Sequence, residues 1–251
     1  MKPLKKNKKP FLSIITATFN EEKNIKKTLN SLINQTYKDF EYIVVDNNSS
    51  DKTVEIITKT NSPFKITIIS ESDRGIYDAW NKAINLASGK FGSFLGAGDV
   101  YKSDESLSNL IKQVYSGDYD FINSKMECRN KVYGQKYSWE KLKRYMNIAH
   151  PGMLMSKSFI NKHNRFSIDY MYASDYDFFL RSARFARFLF VDQVSVVMDP
   201  YGVSNTKIKS MVEVFSIKYK LKIIPLWKNL LFLFLDSLKF YIKYMLNQKK
   251  L

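Results

Sequence analysis

Between Glu71 and Asp99 the chain reads as a polar loop, an amphipathic helix, a short apolar strand and a terminal carboxylate. Ile76, Trp80, Ala83, Ile84 and Ala87 recur at helical spacing, and Phe91 to Leu95 is an apolar run of strand length. Gly75 precedes the helix and Gly89 is placed to stop it. A strand fed by a helix in this way predicts a right-handed crossover onto a parallel neighbour. In such open sheets, ligands bind outside the carboxyl ends of the strands, so Asp99 is expected at a binding edge.

Two more such units precede it. Leu12–Thr16 reads as a buried strand followed by the loop Ala17–Asn20. Asn20 is expected to cap a helix, with Glu21 and Glu22 in its first turn and Ile25, Leu29, Leu32 and Ile33 on its buried face. Phe40–Val45 is a second strand, and the loop Asp46–Asp51 follows it. Ser50 is expected to cap the next helix, which carries Val54, Ile56 and Ile57, and Ile66–Ile69 is a third strand. Residues 11–117 therefore predict a nucleotide-type α/β half. It lacks both the Gly-rich dinucleotide fingerprint and the phosphate-loop lysine motif. After Gly117 the pattern is mixed. Tyr119–Ser124 and Lys131–Trp139 read as strands able to pair, Glu140–Met146 as one or two helical turns, the segment opening at Asp175 as a helix, and Phe188–Met198 as a strand.

The chain has 251 residues, enough for one large domain with an appendage, and its 45% hydrophobic content supports a sizeable core. A net charge of +16 favours anionic partners. No zinc spacing, basic heptad or RNA-binding signature supports nucleic acid, so none is expected as a partner. The Lys2–Lys9 cluster reads as a flexible basic arm over residues 1–10, with no signal-peptide core behind it. The single cysteine, Cys128, excludes an intramolecular disulfide framework and reads as inert. Residues 207–251 predict two helices broken at Pro225. In the second, Lys228, Asp236, Lys239 and Lys243 share one narrow arc and the rest is apolar, the pattern of a helix lying in a membrane interface. Packing on the catalytic domain or on a second copy of the chain is the alternative.

Three acidic loops, Asp46–Asp51, Asp73–Asp78 and Asp99, fall on one predicted sheet edge. Carboxylates gathered there repel unless a cation neutralises them. Mg²⁺ typically takes one or two carboxylates plus substrate phosphates. A nucleoside diphosphate bridged to Asp99 by Mg²⁺ or Mn²⁺ is the direct reading, with capping of helices and turns as the structural alternative, preferred for Asp51. His150, before Pro151 and Gly152, reads as either a structural histidine or a site residue. Trp139, Tyr170 and Tyr172 are candidates for stacking on a sugar ring.

The blocks Leu12–Asn20, Tyr42–Thr53, Asp73–Lys82 and Gly89–Asp99, continued by His150–Gly152, Ala173–Arg181 and Tyr201–Ser204, resemble the family 2 glycosyltransferases of GT-A fold. Within that family they are similar to bacterial enzymes of colanic acid, capsule and O-antigen synthesis. The resemblance covers residues 11–205. It implies an α/β, GT-A type, mostly parallel sheet flanked by helices. The GT-A domain would span 11–206, divided into a nucleotide-binding half (11–117) and an acceptor half (118–206), with an amphipathic helical tail at 207–251. Ala17, Phe19, Asp46, Asn47, Asp73, Arg74 and Asp78 would bind the nucleotide, Asp99 the metal (Mn²⁺ or Mg²⁺), and His150 would lie near the diphosphate or acceptor. Asp175 would be the general base, with Asp177 second. Asn47 stands where the family often has a second Asp, Gly98 where an acid often precedes the metal ligand, and Ser174 where an acid often precedes the base.

The resemblance implies inverting transfer from a nucleotide-diphosphate sugar, a UDP-sugar foremost, to a lipid-linked saccharide at the cytoplasmic face of the inner membrane. Homodimerisation through the tail stays open. Two other readings stand beside it: a nucleotidyltransferase, which would be expected to carry a Gly-rich basic loop in place of Ala17–Asn20, and a non-catalytic carbohydrate- or membrane-binding protein with a degenerate site. The carboxylates of Asp46, Asp99 and Asp175 are expected to converge on one pyrophosphate.

Overall fold

Leu12–Thr18 (β1) and Phe40–Asp46 (β2) are nearly continuous runs of buried residues, because helices cover both faces of the sheet they build. The computed structural model describes residues 9–200 and 207–248. Most of the expected basic arm and the Tyr201–Ser204 block lie outside them.

Ile66–Ser70 (β3), β2, β1 and Phe91–Phe94 (β4) lie side by side in parallel, as expected. Beyond β4 the sheet is mixed. Leu154–Ser156 (β8) runs antiparallel to β4, Phe121–Cys128 (β6) antiparallel to β8, and Phe188–Val197 (β9) parallel to β6. Val100–Tyr101 (β5), which no sequence pattern marks, closes the far edge against β9. Lys131–Tyr133 (β7) pairs with β6, so the two expected strands do pair. β7 stops six residues short of Trp139; Gly134 takes a φ of 105° and turns the chain away.

Two cores follow from the alternation of side chains along the strands. Ile15, Ile43 and Val45 face Ile76–Leu86 (α3) and Ser174–Ser182 (α7), with Trp80, Phe94, Phe121 and Phe178 between them. Leu12, Ile14, Tyr42 and Val44 face Ile25–Asn34 (α1), Thr53–Thr58 (α2) and Ser106–Val114 (α4).

Three expected helix signals act differently. Asn20 does not cap α1, which begins after Asn24. It takes a left-handed φ of 55°, and its Oδ1 accepts from the Ser50 amide at 2.9 Å. Ser50 does not cap α2; Asp51, two residues before the helix, accepts from the Thr53 amide at 2.9 Å and from the Glu22 amide at 3.0 Å. These polar groups stitch the loops after β1 and β2 together. Gly89 lies beyond the end of α3. A Cβ there would come within 2.7 Å of the Leu12 carbonyl carbon and the Ser13 nitrogen, so close backbone approach demands the glycine.

Trp139–Leu142 (α5) is a single turn. Lys207–Lys220 (α8) and Leu226–Gln248 (α9) form an antiparallel hairpin against the domain. Asp236 does not share a solvent arc with Lys228 and Lys239. Its carboxylate takes two hydrogen bonds from Arg144, at 2.7 and 2.6 Å, and docks α9 on the body. Asn229 docks beside it, donating to the Phe215 carbonyl at 3.0 Å. The outward face carries Trp227, Leu230, Phe234, Leu238 and Tyr241, all exposed. No helix among the described residues is long and apolar enough to cross a membrane.

Candidate functional site

The loops after the parallel strands form one edge. Thr18 and Asp46 end β1 and β2 in register, and Asp46 pairs with Ser70 at the end of β3. Asp46 is fully buried. Its carboxylate accepts from the Ser70 hydroxyl at 2.6 Å, from the Ser49 amide at 2.9 Å and from the Ser49 hydroxyl. It therefore shapes the loop from inside. Asn47 accepts from the Asp73 amide at 2.9 Å, and Asp73 in turn accepts from the Gly75 amide at 2.8 Å. The amide at position 47 thus ties the second loop to the third. Burial pushes the Asp73 carboxyl above its ordinary range.

Ala17 is half-buried against the core, whereas Phe19 is 55% exposed. The Arg74 side chain also stands in solvent, 3.5 Å from Asp78. Phe19 and Arg74 are thus an aromatic ring and a guanidinium available at the same edge. Partial burial opposes ionisation of Asp78, but hydrogen bonds and charge from Arg74 outweigh it and hold the carboxyl below its ordinary range.

Asp99 turns inward. Its two oxygens accept from the Gly96 amide and from the Asp199 amide, each at 2.8 Å. The Thr28 hydroxyl clamps the same turn, accepting from the Gly98 amide at 2.8 Å and donating to the Asp99 carbonyl at 2.9 Å. Burial pushes the Asp99 carboxyl up to about 6, and the neighbouring Asp199 charge adds to the effect. The glycine at 98 has a physical reason: its φ is 99°, and a Cβ would sit 2.9 Å from the Asp199 carboxylate. The second acid of this corner therefore comes from the end of β9. Among the described residues no three acids, histidines or cysteines gather as a metal cage.

Asp175 opens α7. Its Oδ1 accepts from the Tyr77 hydroxyl at 3.0 Å and from the Tyr176 amide at 2.8 Å. Tyr77 lies in the first turn of α3, which follows β3, so Asp175 reaches the same end of the sheet as Asp46 and Asp99. The three carboxylates do not surround one cavity, however. Asp46 bonds to Ser49 in the loop after β2 and to Ser70 at the end of β3, and Asp99 bonds to Gly96 and Asp199, whereas Asp175 borders a cavity of about 300 Å³ that neither of them lines. Desolvation holds the Asp175 carboxyl above its ordinary range. Tyr172, Tyr176, Phe215 and Phe232 supply aromatic wall, and Arg144 and Lys218 supply cations. Lys218 is buried, donates to the Arg144 carbonyl at 2.9 Å, and has its ammonium pushed down to about 8 by desolvation.

His150 belongs to the aromatic core. Its ring stacks on Trp80 and Phe94 at 5.0 and 5.4 Å, and burial lowers it to about 4, so it is neutral at pH 7. Its Nε2 is buried without a hydrogen-bond partner among the described residues. Asp177 is paired with Arg181 at 2.8 Å.

Pattern reading missed Tyr77, Asp199, Arg144, Lys218 and Glu213. One signal was available: Glu213 and Asp236 are the only acids in residues 201–251, and both bond to the body.

Comparison with known proteins agrees with this architecture. An uncharacterized glycosyltransferase of Methanocaldococcus jannaschii, MJ1057, is 31% identical over 193 residues, covering 69% of this chain and 64% of that protein. The Escherichia coli UDP-Glc:alpha-D-GlcNAc-diphosphoundecaprenol beta-1,3-glucosyltransferase WfgD is 29% identical over 172 residues, 66% of each chain. The match therefore spans about two thirds of these relatives' lengths. S. aureus TarS 1-349 in complex with UDP-GlcNAc superposes with a TM-score of 0.68 at 20% identity, covering 82% of this chain and 66% of that one. The Pyrobaculum calidifontis mannosyltransferase PcManGT, in complex with GDP-Man and Mn²⁺, gives 0.66 at 18% identity, covering 87% and 66%. Both likenesses are of fold. The family model for glycosyl transferase family 2 matches residues 13–184, from the second residue of β1 through α7, and the chain belongs to that family.

Proposed function

We propose that the chain transfers a sugar from a nucleotide-diphosphate sugar to a saccharide acceptor, with inversion, and that Asp175 is the base. The observation that carries this reading is the carboxylate of Asp175. It is desolvated, fixed by Tyr77, and borders a cavity large enough for a sugar ring. A base held above its ordinary range works closer to neutral pH, and such a base contributes roughly 10²- to 10⁴-fold. The acceptor hydroxyl gives its proton to Asp175, its oxygen forms the bond to the anomeric carbon, and the bond from that carbon to the phosphate oxygen breaks. The nucleoside diphosphate leaves with the electron pair.

The donor lies, in this reading, across the loops after β1, β2 and β3. The exposed Phe19 ring packs on the nucleobase and Arg74 meets the diphosphate, while Asp46, Asn47 and Asp73 hold the loops in place. UDP is the preferred nucleotide, supported by the UDP-Glc of WfgD's name and the UDP-GlcNAc bound to TarS. The corner of the buried Asp99 and its neighbour Asp199 would hold Mn²⁺ or Mg²⁺, hard cations that take one or two carboxylates and complete their shell with substrate phosphates. When bound, such an ion stabilises the leaving diphosphate as a Lewis acid.

The acceptor is, on this proposal, a lipid-linked saccharide of bacterial surface-polysaccharide synthesis. The hairpin reaches it from the cytoplasmic face of the inner membrane with the apolar face of α9 in the lipid interface. The exposed aromatic and aliphatic side chains of α9 and the net charge of +16 support an anionic lipid surface.

A thermal-shift screen of nucleotides and nucleotide sugars with Mn²⁺ tests the donor site, because ligands that bind the folded state raise Tm by mass action. A selective rise with one nucleotide, followed by release of the nucleoside diphosphate on incubation, is expected. No shift and no release with any nucleotide sugar removes the enzyme reading in favour of a binding protein. Flotation with anionic vesicles tests the tail: Trp227→Ser with Phe234→Ser is expected to reduce binding, and a wild-type protein that ignores the vesicles but sediments as a dimer assigns the face to a second copy.

A further inference from the structure

The turn that delivers Asp175 is held from outside the region that the family model matches. Three successive backbone amides, of Met171, Tyr172 and Ala173, point at one side chain. Glu213 of α8 accepts from Met171 on Oε1 at 2.9 Å, and from Tyr172 and Ala173 on Oε2 at 2.8 and 2.9 Å. Ala173 is the residue that caps α7, and Asp175 stands in its first turn. Charge-assisted bonds from a carboxylate to backbone amides are about twice as strong as neutral ones. Three of them on consecutive residues fix both the entry angle of α7 and the direction in which Asp175 leaves it.

Resting on the reading of Asp175 as the base, we infer that Glu213 is a positioning residue for it, so that the C-terminal hairpin is a working part of the active site as well as an attachment. The same hairpin supplies Phe215, Lys218, Phe232 and Asp236 to the cavity beside Asp175. Tyr77 from α3, the Tyr176 amide from its own helix and Glu213 from α8 act on Asp175, and the charged groups that line the same cavity are Lys218 from α8, Asp236 from α9 and Arg144 after α5. Of these, the negative charge of Glu213 favours the protonated form of Asp175, and Tyr77 and the Tyr176 amide favour the ionised form.

Glutamine at 213 keeps the size of the side chain but offers one oxygen to three N–H groups and turns an amide donor toward them. Misplacement of a reacting group by about 1 Å can cost on the order of 10²-fold. The test uses the full-length chain, the nucleotide sugar selected by thermal shift, and water as acceptor, so no lipid substrate is needed. For E213Q, kcat of donor hydrolysis is expected to fall at least about tenfold, with nucleoside diphosphate affinity unchanged within about twofold. The acid limb of its pH–rate profile is expected to move to lower pH, since a like charge near the base has been removed.

E213D, which keeps the charge on a shorter arm, is expected to lower kcat while leaving the limb in place. Unchanged kcat in E213Q, or a fall matched by loss of nucleotide affinity, overturns the inference, as does collapse of both variants to an unfolded chain. A wild-type protein with no turnover of any nucleotide sugar defeats the enzyme reading itself, which separates the two failures.

Discussion

The hydroxyl of Tyr77 donates a 3.0 Å hydrogen bond to the carboxylate of Asp175 across 98 positions of sequence. It joins the first turn of α3, on the nucleotide side, to the first turn of α7, on the acceptor side. Removing it with Tyr77→Phe takes a donor from the ionised form of the base, so the acid limb of the pH–rate profile moves to higher pH. A hydrogen bond to a charged group is worth about 1.5–3 kcal/mol, so the rate at a pH on that limb is expected to fall at least about tenfold. An unmoved limb would show that this bond does not tune the base.

Asp175→Asn separates catalysis from stability. Transfer is expected to fall roughly 10²- to 10⁴-fold. Stability runs the other way. A carboxyl raised by desolvation stabilises the fold only while protonated, and that contribution is lost as pH rises through its folded pKa. At pH 8 the asparagine variant is therefore expected to melt above wild type, with the gap closing as pH falls. A variant that melts lower at every pH would contradict the desolvation.

His150 gives a sign that is easy to check. Its folded value of about 4 lies below the ordinary 6.5, so its contribution is fully present above pH 6.5 and is lost as pH falls toward 4. The amount is roughly 3 kcal/mol. Urea unfolding of wild type and His150→Phe across this window is expected to show a steeper loss for wild type. Parallel curves would mean that the imidazole is solvated.

The pair Arg144–Asp236 clasps α9 to the body, with the two side chains 25% and 37% exposed. Hydrogen bonding by Arg144 holds the Asp236 carboxyl below its ordinary range, so this stabilisation is present near neutral pH and lost on acidification. Solvent screening limits the coupling to about 1 kcal/mol, even with bidentate geometry. A double-mutant cycle of Arg144→Ala and Asp236→Ala separates it from the stacking of Arg144 on Phe232, where the guanidinium lies 4.1 Å from the ring centroid. A coupling near zero would leave the apolar contacts and the hydrogen bonds of Glu213 and Lys218 as what holds the hairpin.

The four parallel strands were legible because each is a run of β-branched and aromatic residues between loop signals, and α3 because its apolar residues keep one period. The role of Asp51 at the start of α2 was legible in part, as its bond to Thr53 is local, but the bonds of Asn20 to Ser50 and of Asp51 to Glu22 cross loops that only tertiary structure brings together. Gly98 looked like a missing acid; the second carboxylate of that corner, Asp199, lies 100 residues beyond Asp99, just past the end of β9. Asp175 could be named from its block, whereas Tyr77 and Glu213, which fix it, belong to helices whose patterns report only burial. The polar arc of α9 was visible, but not that one of its members faces inward.

That inward turn has a practical cost. A helix that uses Asn229 and Asp236 to grip its own protein leaves rings and branched chains as its outer coat. In plain buffer these side chains are poorly wetted. Purified samples should therefore scatter light increasingly as they are concentrated, and clear when a mild surfactant is added.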